Sequence, residues 1–465
     1  MTTAPYLSFV VTARNDNHGG DMLRRMQIFV NGLLEQCRRH QLSAELIIVE
    51  WNPPQDRPKL TEALNWTLAQ DSPCTVRVIE VPPEVHLRLK HGTSLPLFQM
   101  IAKNVGIRRA RGEFILATNI DVLFSDELCR FLAKRELRRD VSYRIDRHDV
   151  SLKIPADVSL EEQLEFCQDN VVLIFARNGI IELHHESSTE LPPLVAEAVP
   201  PAEAAPIVEP APTISPELPP EELLPPLPAP EPKSWVKRAK VIYQFVLPLP
   251  LREAILNVLP LSMRDTMIRR GLLKVKESPA QLLPSEPIVL PELPISTTPD
   301  PAPAEITASE AAAPEATEAP VYDPGYPLLH TYACGDFHLL SKELWFKVRG
   351  YAELPIFSFH LDSLFLHTAY HAGGKEVILE EPMRLYHIEH KAGWTPEIER
   401  SQTLNDRLKK LEIPQLSMEQ FTAFATLMQQ MGEPIIMNSE DWGMVNDQLP
   451  EYWIGQAANV SNSQD

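Results

Sequence analysis

The chain has 465 residues and few of the features that mark secreted or zinc-stapled proteins. Cysteine is scarce: there are five, an odd number, they lie far apart and none belongs to a C-x-x-C pair. That spacing argues against a disulfide framework or a zinc module and is typical of reduced core cysteines in a cytosolic protein. The five are Cys37, Cys74, Cys129, Cys167 and Cys334.

Long apolar runs and an excess of positive charge are also missing. No run of about 18 uninterrupted apolar residues exists, so we expect no membrane-spanning helix. The N-terminus has no basic flank followed by an apolar stretch, so we expect no signal peptide and a cytoplasmic location. With 43 Lys and Arg against 63 Asp and Glu, the net charge is -20. Because a general nucleic-acid binder must neutralise phosphates, we expect no nucleic-acid partner.

Residues 98–126 contain a helix pattern, a strand pattern and then polar residues. Gly112 is expected to end the helix, because glycine accepts the positive φ of a helix C-cap. Phe114–Ala117 is a continuous apolar run, typical of a strand buried on both faces. Asn119 and Asp121 follow at its carboxyl end. Because ligands bind beyond the carboxyl ends of strands in open α/β sheets, Asp121 is a candidate site residue.

The run A-K-N-V-G-I-R-R-A-R-G-E-F-I-L-A-T-N-I-D resembles a segment of family 2-like glycosyltransferases of the GT-A fold, A-R-N-x-G-x-x-x-A-x-G-E-x-I-x-x-x-D-x-D. The residues that match at the family's spacing are Asn104, Gly106, Ala110, Gly112, Glu113 and Asp121. One departure is Asn119, which replaces the first Asp of D-x-D and leaves Asp121 as the motif's only carboxylate. The resemblance implies that Lys103, Asn104, Asn119 and Asp121 contact a nucleotide-sugar.

The N-terminal segment predicts the opening of a parallel βαβ sheet. Tyr6–Ala13 reads as a strand, Asp21 is placed to cap a helix over Met22–His40, and strands follow at Glu45–Glu50 and Val76–Val81. The fold class expected is therefore α/β. The resemblance refines it to a GT-A (Rossmann-like) mostly parallel sheet flanked by helices.

The resemblance extends to the ends of the first two strands. V-V-T-A-R-N-D occupies the position of a loop that touches the nucleotide, which implies that Thr12, Ala13 and Arg14 bind the donor. I-I-V-E-W-N occupies the position of I-I-V-D-D-G-S, which implies that Glu50 grips the base or ribose. The alternative for Glu50 is a solvated acid at a strand end.

Further elements are expected before residue 185. Ser125 or Asp126 should cap a helix that runs to about Leu137. Residues 141–150 alternate apolar and polar side chains, which predicts one half-buried strand. Arg144, Asp146 and Arg147 would then be available to the cleft, or would form an ordinary solvated strand face. A helix is expected over Ser159–Gln168 and a strand over Val171–Phe175.

Most of the 45 prolines are crowded into residues 186–325, a Pro/Ala/Glu-rich segment that we expect to be disordered and extended. Within it, residues 233–276 hold ten Lys and Arg against two acids. This basic amphipathic island predicts peripheral contact with an anionic membrane or docking on a partner. The alternative is a small helical hairpin that packs on its own catalytic domain.

The resemblance resumes after this insertion. T-Y-A-C-G-D-F-H-L-L-S-K-E-L-W-F-K-V-R-G-Y resembles a family segment that lines the acceptor side of the cleft. H-L-D-S-L-F then replaces the family's E-D-x-D-L, which makes Asp362 the expected catalytic base and puts His360 in place of a Glu. The implied organisation is a nucleotide-sugar-binding half (1–185), an acceptor and catalytic half (326–395), and C-terminal helices with a loose tail anchored by Trp442 and Trp453 (396–465).

A metal site is implied as well. Asp121 suits Mg²⁺ or Mn²⁺, which prefer oxygen ligands. The late segment R-L-Y-H-I-E-H-K-A-G-W resembles one that closes the metal site with a histidine, here His387 or alternatively His390. An imidazole ligand tilts the choice towards Mn²⁺. His367 and His371 lack the Glu of H-E-x-x-H, which excludes a metalloprotease motif.

The expected function is an inverting, metal-assisted glycosyltransferase, with surface polysaccharide or another glycan as the product. The donor would be a UDP- or GDP-sugar, and the acceptor a hydroxyl of a glycan or a lipid-linked molecule. A sugar-1-phosphate nucleotidyltransferase needs a glycine-rich phosphate loop that T-A-R-N-D-N-H-G-G does not supply. A non-enzymatic alternative is a lapsed GT-A protein that acts as a scaffold through its insertion.

Overall fold

A computed structural model describes residues 4–183, 328–390 and 398–455. The predicted disorder of 186–325 and the basic island 233–276 lie outside these ranges. Thirteen strands are described: β1 (Leu7–Ala13), β2 (Ala44–Trp51), β3 (Cys74–Val81), β4 (Phe114–Ala117), β5 (Val122–Phe124), β6 (Val141–Ile145), β7 (Arg147–Val150), β8 (Val171–Ala176), β9 (Gly179–Glu182), β10 (His338–Ser341), β11 (Lys375–Leu379), β12 (Leu385–Ile388) and β13 (Glu451–Ile454).

The described helices flank these strands. They are α1 (Met22–His40), α2 (Leu60–Ala63), α3 (Pro83–His86), α4 (Gln99–Arg108), α5 (Asp126–Ala133), α6 (Leu160–Asp169), α7 (Lys342–Val348), α8 (Leu361–His371), α9 (Ile398–Lys410) and α10 (Met418–Met431). Short 3-10 turns occur at Thr67–Ala69 and Cys334–Asp336.

The strands form two mixed sheets. The larger has the order β11-β6-β10-β4-β1-β2-β3-β13, and the smaller has the order β5-β12-β7-β8-β9. In the larger sheet β1 to β4 run parallel, while β10 and β13 are antiparallel to their neighbours. The α/β class is therefore confirmed, with parallel and antiparallel strands flanked by helices.

Both faces of the large sheet are covered. Along β1, Val10 belongs to a core shared with α4, α7, α8 and α10, while Phe9 and Val11 belong to a core shared with α1 and α5. The alternation follows from the two-residue period of a strand. Because helices cover both faces, β1 and β2 are buried at every position, which explains their continuous apolar runs. Full burial of each such side chain contributes about 2 kcal/mol.

Several predicted elements are confirmed at nearly the expected bounds. These are β1, α1, β2, β3, β4, α6 and β8. The Ser125 cap is also confirmed, since its Oγ accepts from the Leu128 amide at 3.2 Å. The helix that it caps is shorter than predicted and ends at Ala133.

Two capping predictions are wrong. Asp21 adopts a left-handed conformation with φ 46° and makes no side-chain capping bond. The Asn17 side chain accepts from the Met22 amide instead, at 3.2 Å. Gly112 does not cap α4, which ends at Arg108. The Gly112 amide donates to Ser8 Oγ at 2.8 Å. A Cβ added to Gly112 would lie 2.7 Å from the Ser8 nitrogen, so the close approach of this residue to β1 requires glycine.

The single half-buried strand predicted over 141–150 is also wrong. The chain breaks at Asp146 into β6 and β7, which belong to different sheets. Every residue of both strands is buried. The polar positions that suggested a solvated face are buried arginines: Arg144 donates to the Cys334 carbonyl oxygen at 3.0 Å, and Arg147 binds two carboxylates.

The prediction of a loose C-terminal tail is wrong for the residues that the structure describes, which end at 455. β13 pairs antiparallel with β3 and extends the large sheet. Trp442 is 2% exposed, which confirms it as an anchor. The guanidinium groups of Arg77 and Arg111 lie 5.2 and 4.6 Å from the centre of the Trp453 ring, so cation–π contacts hold the new edge.

Candidate active site

The candidate site lies at the carboxyl ends of β1 and β4. The strand order of the large sheet reverses there, because β2 and β3 follow on one side of β1 and β4 lies on the other. Such a switch point leaves a crevice in which α/β proteins bind ligands. Ala13 ends β1, Arg14 follows it, and Asn119 and Asp121 follow β4. Ala13, Arg14, Asn119 and Asp121 from the predicted donor residues therefore border this crevice.

Asp121, His387 and His390 form a cluster, with ligand atoms all within 4.8 Å of one another. His390 Nε2 is 3.1 Å from Asp121 Oδ2, and His387 Nε2 is 3.9 Å from Asp121 Oδ1. Strand pairing produces the arrangement, because His387 on β12 is the register partner of Val122 on β5. The Ile388 amide also donates to the Asp121 carbonyl oxygen at 2.9 Å. The two alternative ligands thus lie beside the same carboxylate.

Arg25 also contacts this carboxylate, although the sequence analysis did not identify it. Its NH1 group donates to Asp121 Oδ2 at 2.6 Å, and its NH2 group donates to the His18 carbonyl oxygen at 2.5 Å. The Arg25 side chain is 1% exposed. The sequence did contain an indication of this burial, because Arg25 falls between Met22 and Phe29 on the apolar stripe of α1, which is buried.

The charges of the cluster keep Asp121 ionised. Burial alone would raise the pKa of Asp121, but the hydrogen bond from His390 and the charges of His387 and Arg25 hold that pKa well below its usual range. For His387, burial lowers the pKa and the neighbouring Asp149 and Asp121 raise it, with a net upward shift. The cluster therefore couples the Asp121 carboxylate anion to the His387 imidazole, whose protonated form the neighbouring carboxylates stabilise.

A row of ion pairs leads from His387 to Asp336. His387 Nδ1 lies 3.2 Å from Asp149 Oδ1. Arg147 NH2 donates to Asp149 Oδ2 at 2.9 Å, and its NH1 donates to Asp336 Oδ2 at 2.7 Å. The Arg147 guanidinium also lies 4.3 Å from the centre of the Phe175 ring. Asp149 and Asp336 were missed from the sequence, because their roles depend on strand register and on a contact between the two halves.

Asn119 is paired with a carboxylate from the other half of the chain. Its Nδ2 group donates to Asp336 Oδ1, and its Oδ1 accepts from Gln99 Nε2 at 3.1 Å. Thr118 Oγ1 donates to the Asp336 carbonyl oxygen at 2.6 Å, which fixes the backbone of the 3-10 turn. A carboxylate therefore lies beside the position where the D-x-D motif has its first Asp.

Lys103 links this region to the predicted base. Its side chain is fully buried on α4, and Nζ donates to the Gly335 carbonyl oxygen at 2.8 Å. Burial lowers the pKa of Lys103 to about 8, against the opposing charges of Asp336, Asp362 and Asp121. All three carboxylates thus act electrostatically on one ammonium group. Asp121 and Asp362 consequently face the same region of the molecule.

Asp362 lies half-buried in the first turn of α8. Its Oδ1 accepts from the Ser363 amide at 2.8 Å, and the helix N-terminus favours its anion. An added Cβ at Gly335 would lie 2.9 Å from Asp362 Oδ2, so this glycine leaves room for the carboxylate. His360, which replaces the family's Glu, has φ 63° and stacks on Phe421 with ring centres 5.6 Å apart. His360 therefore contributes packing.

Glu50 is buried within β2, so the alternative of a solvated strand-end acid is wrong. Its Oε1 accepts from the Leu60 amide at 2.9 Å, while Oε2 has no hydrogen-bond partner among the described residues. Burial raises the pKa of Glu50 to about 7, against the lowering effect of the Leu60 amide. A buried carboxyl oxygen without a partner is suited to recognising a donor group on a ligand.

The remaining predicted donor residues have partners within the fold. Thr12 Oγ1 donates to the Val49 carbonyl oxygen at 3.1 Å, and Ala13 is buried. Arg14 Nε donates to the Asn52 carbonyl oxygen at 2.8 Å, which directs the guanidinium along the ends of β1 and β2. These residues border the crevice.

Asn104 has a different position from the other predicted donor residues. Its Nδ2 donates to the Tyr351 carbonyl oxygen at 2.9 Å and to Glu353 Oε1 at 3.0 Å, while its Oδ1 accepts from the Tyr351 amide at 2.9 Å. These bonds hold the loop after α7. The structure therefore gives Asn104 a packing role and does not bring it into the Asp121 cluster.

The donor set of the cluster fits a divalent cation. It offers two imidazole nitrogens and carboxylate oxygens, and His390 Nδ1 is buried without a hydrogen-bond partner in the described ranges. Arg25 contacts Asp121 Oδ2, while Oδ1 faces His387. Imidazole nitrogens suit Zn²⁺, Cu²⁺, Fe²⁺ and Ni²⁺, while carboxylate oxygens suit Mg²⁺ and Mn²⁺. The mixed set of Asp121, His387 and His390 could therefore hold a metal ion.

Comparisons with known proteins assign no family. No protein-family model matches the chain, and no curated protein sequence matches it significantly. Within the described ranges, no helix has the length and apolar character needed to cross a bilayer.

Proposed function

We propose that the chain is a GT-A glycosyltransferase that moves a sugar from a nucleotide-diphosphate sugar to a hydroxyl acceptor. The observation that carries the proposal is the Asp121, His387 and His390 cluster at the strand switch point, where the charges of both Asp121 and Asp362 act on the buried Lys103. A cleft of this kind holds the donor diphosphate at one end and an acceptor base at the other.

The donor side would be formed by β1, β2 and β4. Glu50 has the unpartnered oxygen that a base or ribose donor group would satisfy. Arg14 supplies a positive charge at the end of β1, and the Asn119–Asp336 pair lies at the end of β4, where sugar hydroxyls need both donors and acceptors. The UDP- or GDP-sugar expected from the sequence is consistent with this arrangement.

Asp121, His387 and His390 would hold a divalent cation. When bound, the cation stabilises the negative charge that develops on the departing nucleoside diphosphate. Arg25 donates to Asp121 and helps to keep its carboxylate ionised and oriented, and the buried Lys103 ammonium adds positive charge further away. The protein contributes this charge before the donor arrives, which is the main advantage of a preorganised site.

Asp362 would act as general base on the acceptor hydroxyl. The acceptor oxygen forms a bond to the anomeric carbon, its proton passes to the Asp362 carboxylate, and the bond from the anomeric carbon to the diphosphate breaks. Attack from the face opposite the leaving group inverts the configuration in a single displacement. The half-buried position of Asp362 leaves it accessible to an acceptor.

Turnover of UDP- and GDP-sugars by the full chain with Mn²⁺ tests the proposal. We expect release of nucleoside diphosphate from at least one donor, and a loss of about 100-fold or more in Asp362→Asn with little change in donor affinity. Asp157→Asn is an exposed control that should behave as the unmodified protein. Absence of turnover with every donor, or full activity in Asp362→Asn, would contradict the proposal.

A non-catalytic nucleotide-binding scaffold is the second candidate. It is favoured by the Arg25 guanidinium, which lies 2.6 Å from Asp121 where a cation would add further positive charge. The two candidates differ in the behaviour of Asp121→Ala. A scaffold would bind nucleotide unchanged and hydrolyse no donor, whereas the transferase would lose cation-dependent donor binding.

A further inference from the structure

The cation cluster has a carboxylate behind one of its imidazoles. We propose that Asp149 is a positioning residue that holds His387 with its Nε2 lone pair directed at the cluster, and so sets the affinity of the site for a borderline divalent cation. The inference rests on the proposed function only for the identity of the cluster as a cation site. It requires neither a sugar donor nor turnover.

Strand register places Asp149 and His387 side by side. β7 and β12 are parallel neighbours, and His387 is the register partner of Asp149. Their side chains consequently point to the same face of the small sheet. His387 Nδ1 lies 3.2 Å from Asp149 Oδ1, while Nε2 on the opposite side of the ring lies 3.9 Å from Asp121 Oδ1.

Arg147 prevents the Asp149 carboxylate from turning away. Its Nε and NH2 groups lie 2.7 and 2.9 Å from the two oxygens of Asp149. Asp149 is 1% exposed, so no water competes freely for these oxygens. A carboxylate held by a guanidinium is an acceptor only. We therefore place the hydrogen on Nδ1, the ring nitrogen that lies 3.2 Å from this acceptor.

The tautomer decides whether His387 can bind a cation. In a neutral imidazole one nitrogen carries hydrogen and the other carries the lone pair. With hydrogen on Nδ1, the lone pair of His387 is on Nε2, the nitrogen that belongs to the cluster. Carboxylates behind metal-binding histidines act in this way, and their loss typically weakens metal affinity by about 10- to 100-fold.

In Asp149→Asn this arrangement should reverse. The amide oxygen can accept from Arg147 NH2 in the place of Oδ2, and the amide NH2 then takes the place of Oδ1, beside His387 Nδ1 and Arg147 Nε. A donor at that position favours hydrogen on Nε2 and removes the lone pair from the cluster. The substitution preserves the size of the side chain, and Arg147 keeps Asp336 as a carboxylate partner.

The inference is tested by titrating the full chain with Mn²⁺ in the absence of nucleotide. The electron paramagnetic resonance signal of the free ion measures how much Mn²⁺ is bound. We expect Asp149→Asn to raise the Kd for Mn²⁺ by about 10- to 100-fold. The control is Asp146→Asn, because Asp146 makes an equivalent contact of 2.9 Å with His330 outside the cluster. Asp146→Asn should stay within about 2-fold of the unmodified chain. A Kd for Asp149→Asn within that range, or no Mn²⁺ binding by the unmodified chain, would overturn the inference.

Two further measurements separate positioning from a general structural role. In a His387→Ala background, Asp149→Asn should cause no additional loss of Mn²⁺ affinity, whereas an independent second loss would overturn the inference. In the unmodified chain, ¹⁵N chemical shifts of neutral His387 should give the Nδ1–H tautomer, and the Nε2–H tautomer would overturn it. Mn²⁺ binding without sugar turnover would leave this inference standing while removing the proposed function.

Discussion

Glu50 illustrates how a single buried group can serve ligand binding at the expense of stability. Its carboxyl is fully buried with one oxygen that has no hydrogen-bond partner among the described residues, and burial raises its pKa from 4.5 to about 7. The folded state therefore binds the proton more tightly than the unfolded state does. The resulting penalty is absent below pH 4.5, grows as the pH rises to about 7 and is complete above it.

Replacing Glu50 by Gln should remove this pH dependence. The amide oxygen can still accept from the Leu60 amide, and no ionised form exists. We expect Glu50→Gln to gain stability over the unmodified chain between pH 5 and pH 8, by at most about 3 kcal/mol. Thermal unfolding of both proteins across that range measures the difference. The control is Glu62→Gln, because Glu62 is exposed. If the stability of Glu50→Gln and of the unmodified chain changed with pH in the same way, the raised pKa of Glu50 would be contradicted.

At the same scale, the sequence identified some site residues and missed others for a physical reason. Asp121 was found from its position at a strand end, and the two late histidines from a local motif. Arg25, Asp149 and Asp336 act through partners that are distant in the chain; Arg147 and Asp336, for example, are 189 positions apart. Such pairings depend on register and on the packing of the two halves, which local spacing does not encode.

Among elements, the sequence predicted those that are regular and buried. β1, β2, β4 and α1 have continuous apolar runs or a helical apolar stripe, and their bounds are nearly those predicted. The break between β6 and β7 was missed because buried arginines imitate the alternation of a half-exposed strand. β13 was missed because four residues at an edge carry little periodic signal.

The edge strand β13 depends on an ion pair as well as on backbone pairing. Arg77 is 3% exposed and contacts Glu45 and Glu451 at 2.8 and 2.7 Å. Glu451→Gln would leave a buried guanidinium with one carboxylate. We expect a loss of about 1–2 kcal/mol in the free energy of unfolding, because a buried charge loses a partner.

Urea denaturation at pH 7 measures this loss. The matched control is Glu343→Gln, since Glu343 pairs with Arg139 where both side chains are at least half exposed. That exposed pair should contribute less than about 0.5 kcal/mol. Equal effects of the two substitutions would show that the Arg77 pair contributes no more than a surface contact.

On the scale of the whole molecule, the two halves of the chain complete one sheet and one site. β10, from the second half, lies between β4 and β6 of the first half and pairs antiparallel with both. Lys103 on α4 donates to Gly335, and Asn119 donates to Asp336. The segment between the halves can therefore diverge in sequence without changing the site, provided that its ends return to these contacts.

Residues 233–276 belong to this intervening segment, and the membrane contact predicted for them can be tested separately from the site. Their ten Lys and Arg against two acids contrast with the chain's net charge of -20, so the island alone should be drawn to anionic lipid. We expect the full chain to float with liposomes that contain phosphatidylserine, less so at high salt, and not with neutral liposomes. Deletion of 233–276 should abolish flotation and leave thermal unfolding unchanged, because the described core contains none of these residues. Flotation that survives the deletion, or absence of binding at low and high salt alike, would contradict membrane attachment and favour a helical hairpin that packs on the catalytic domain.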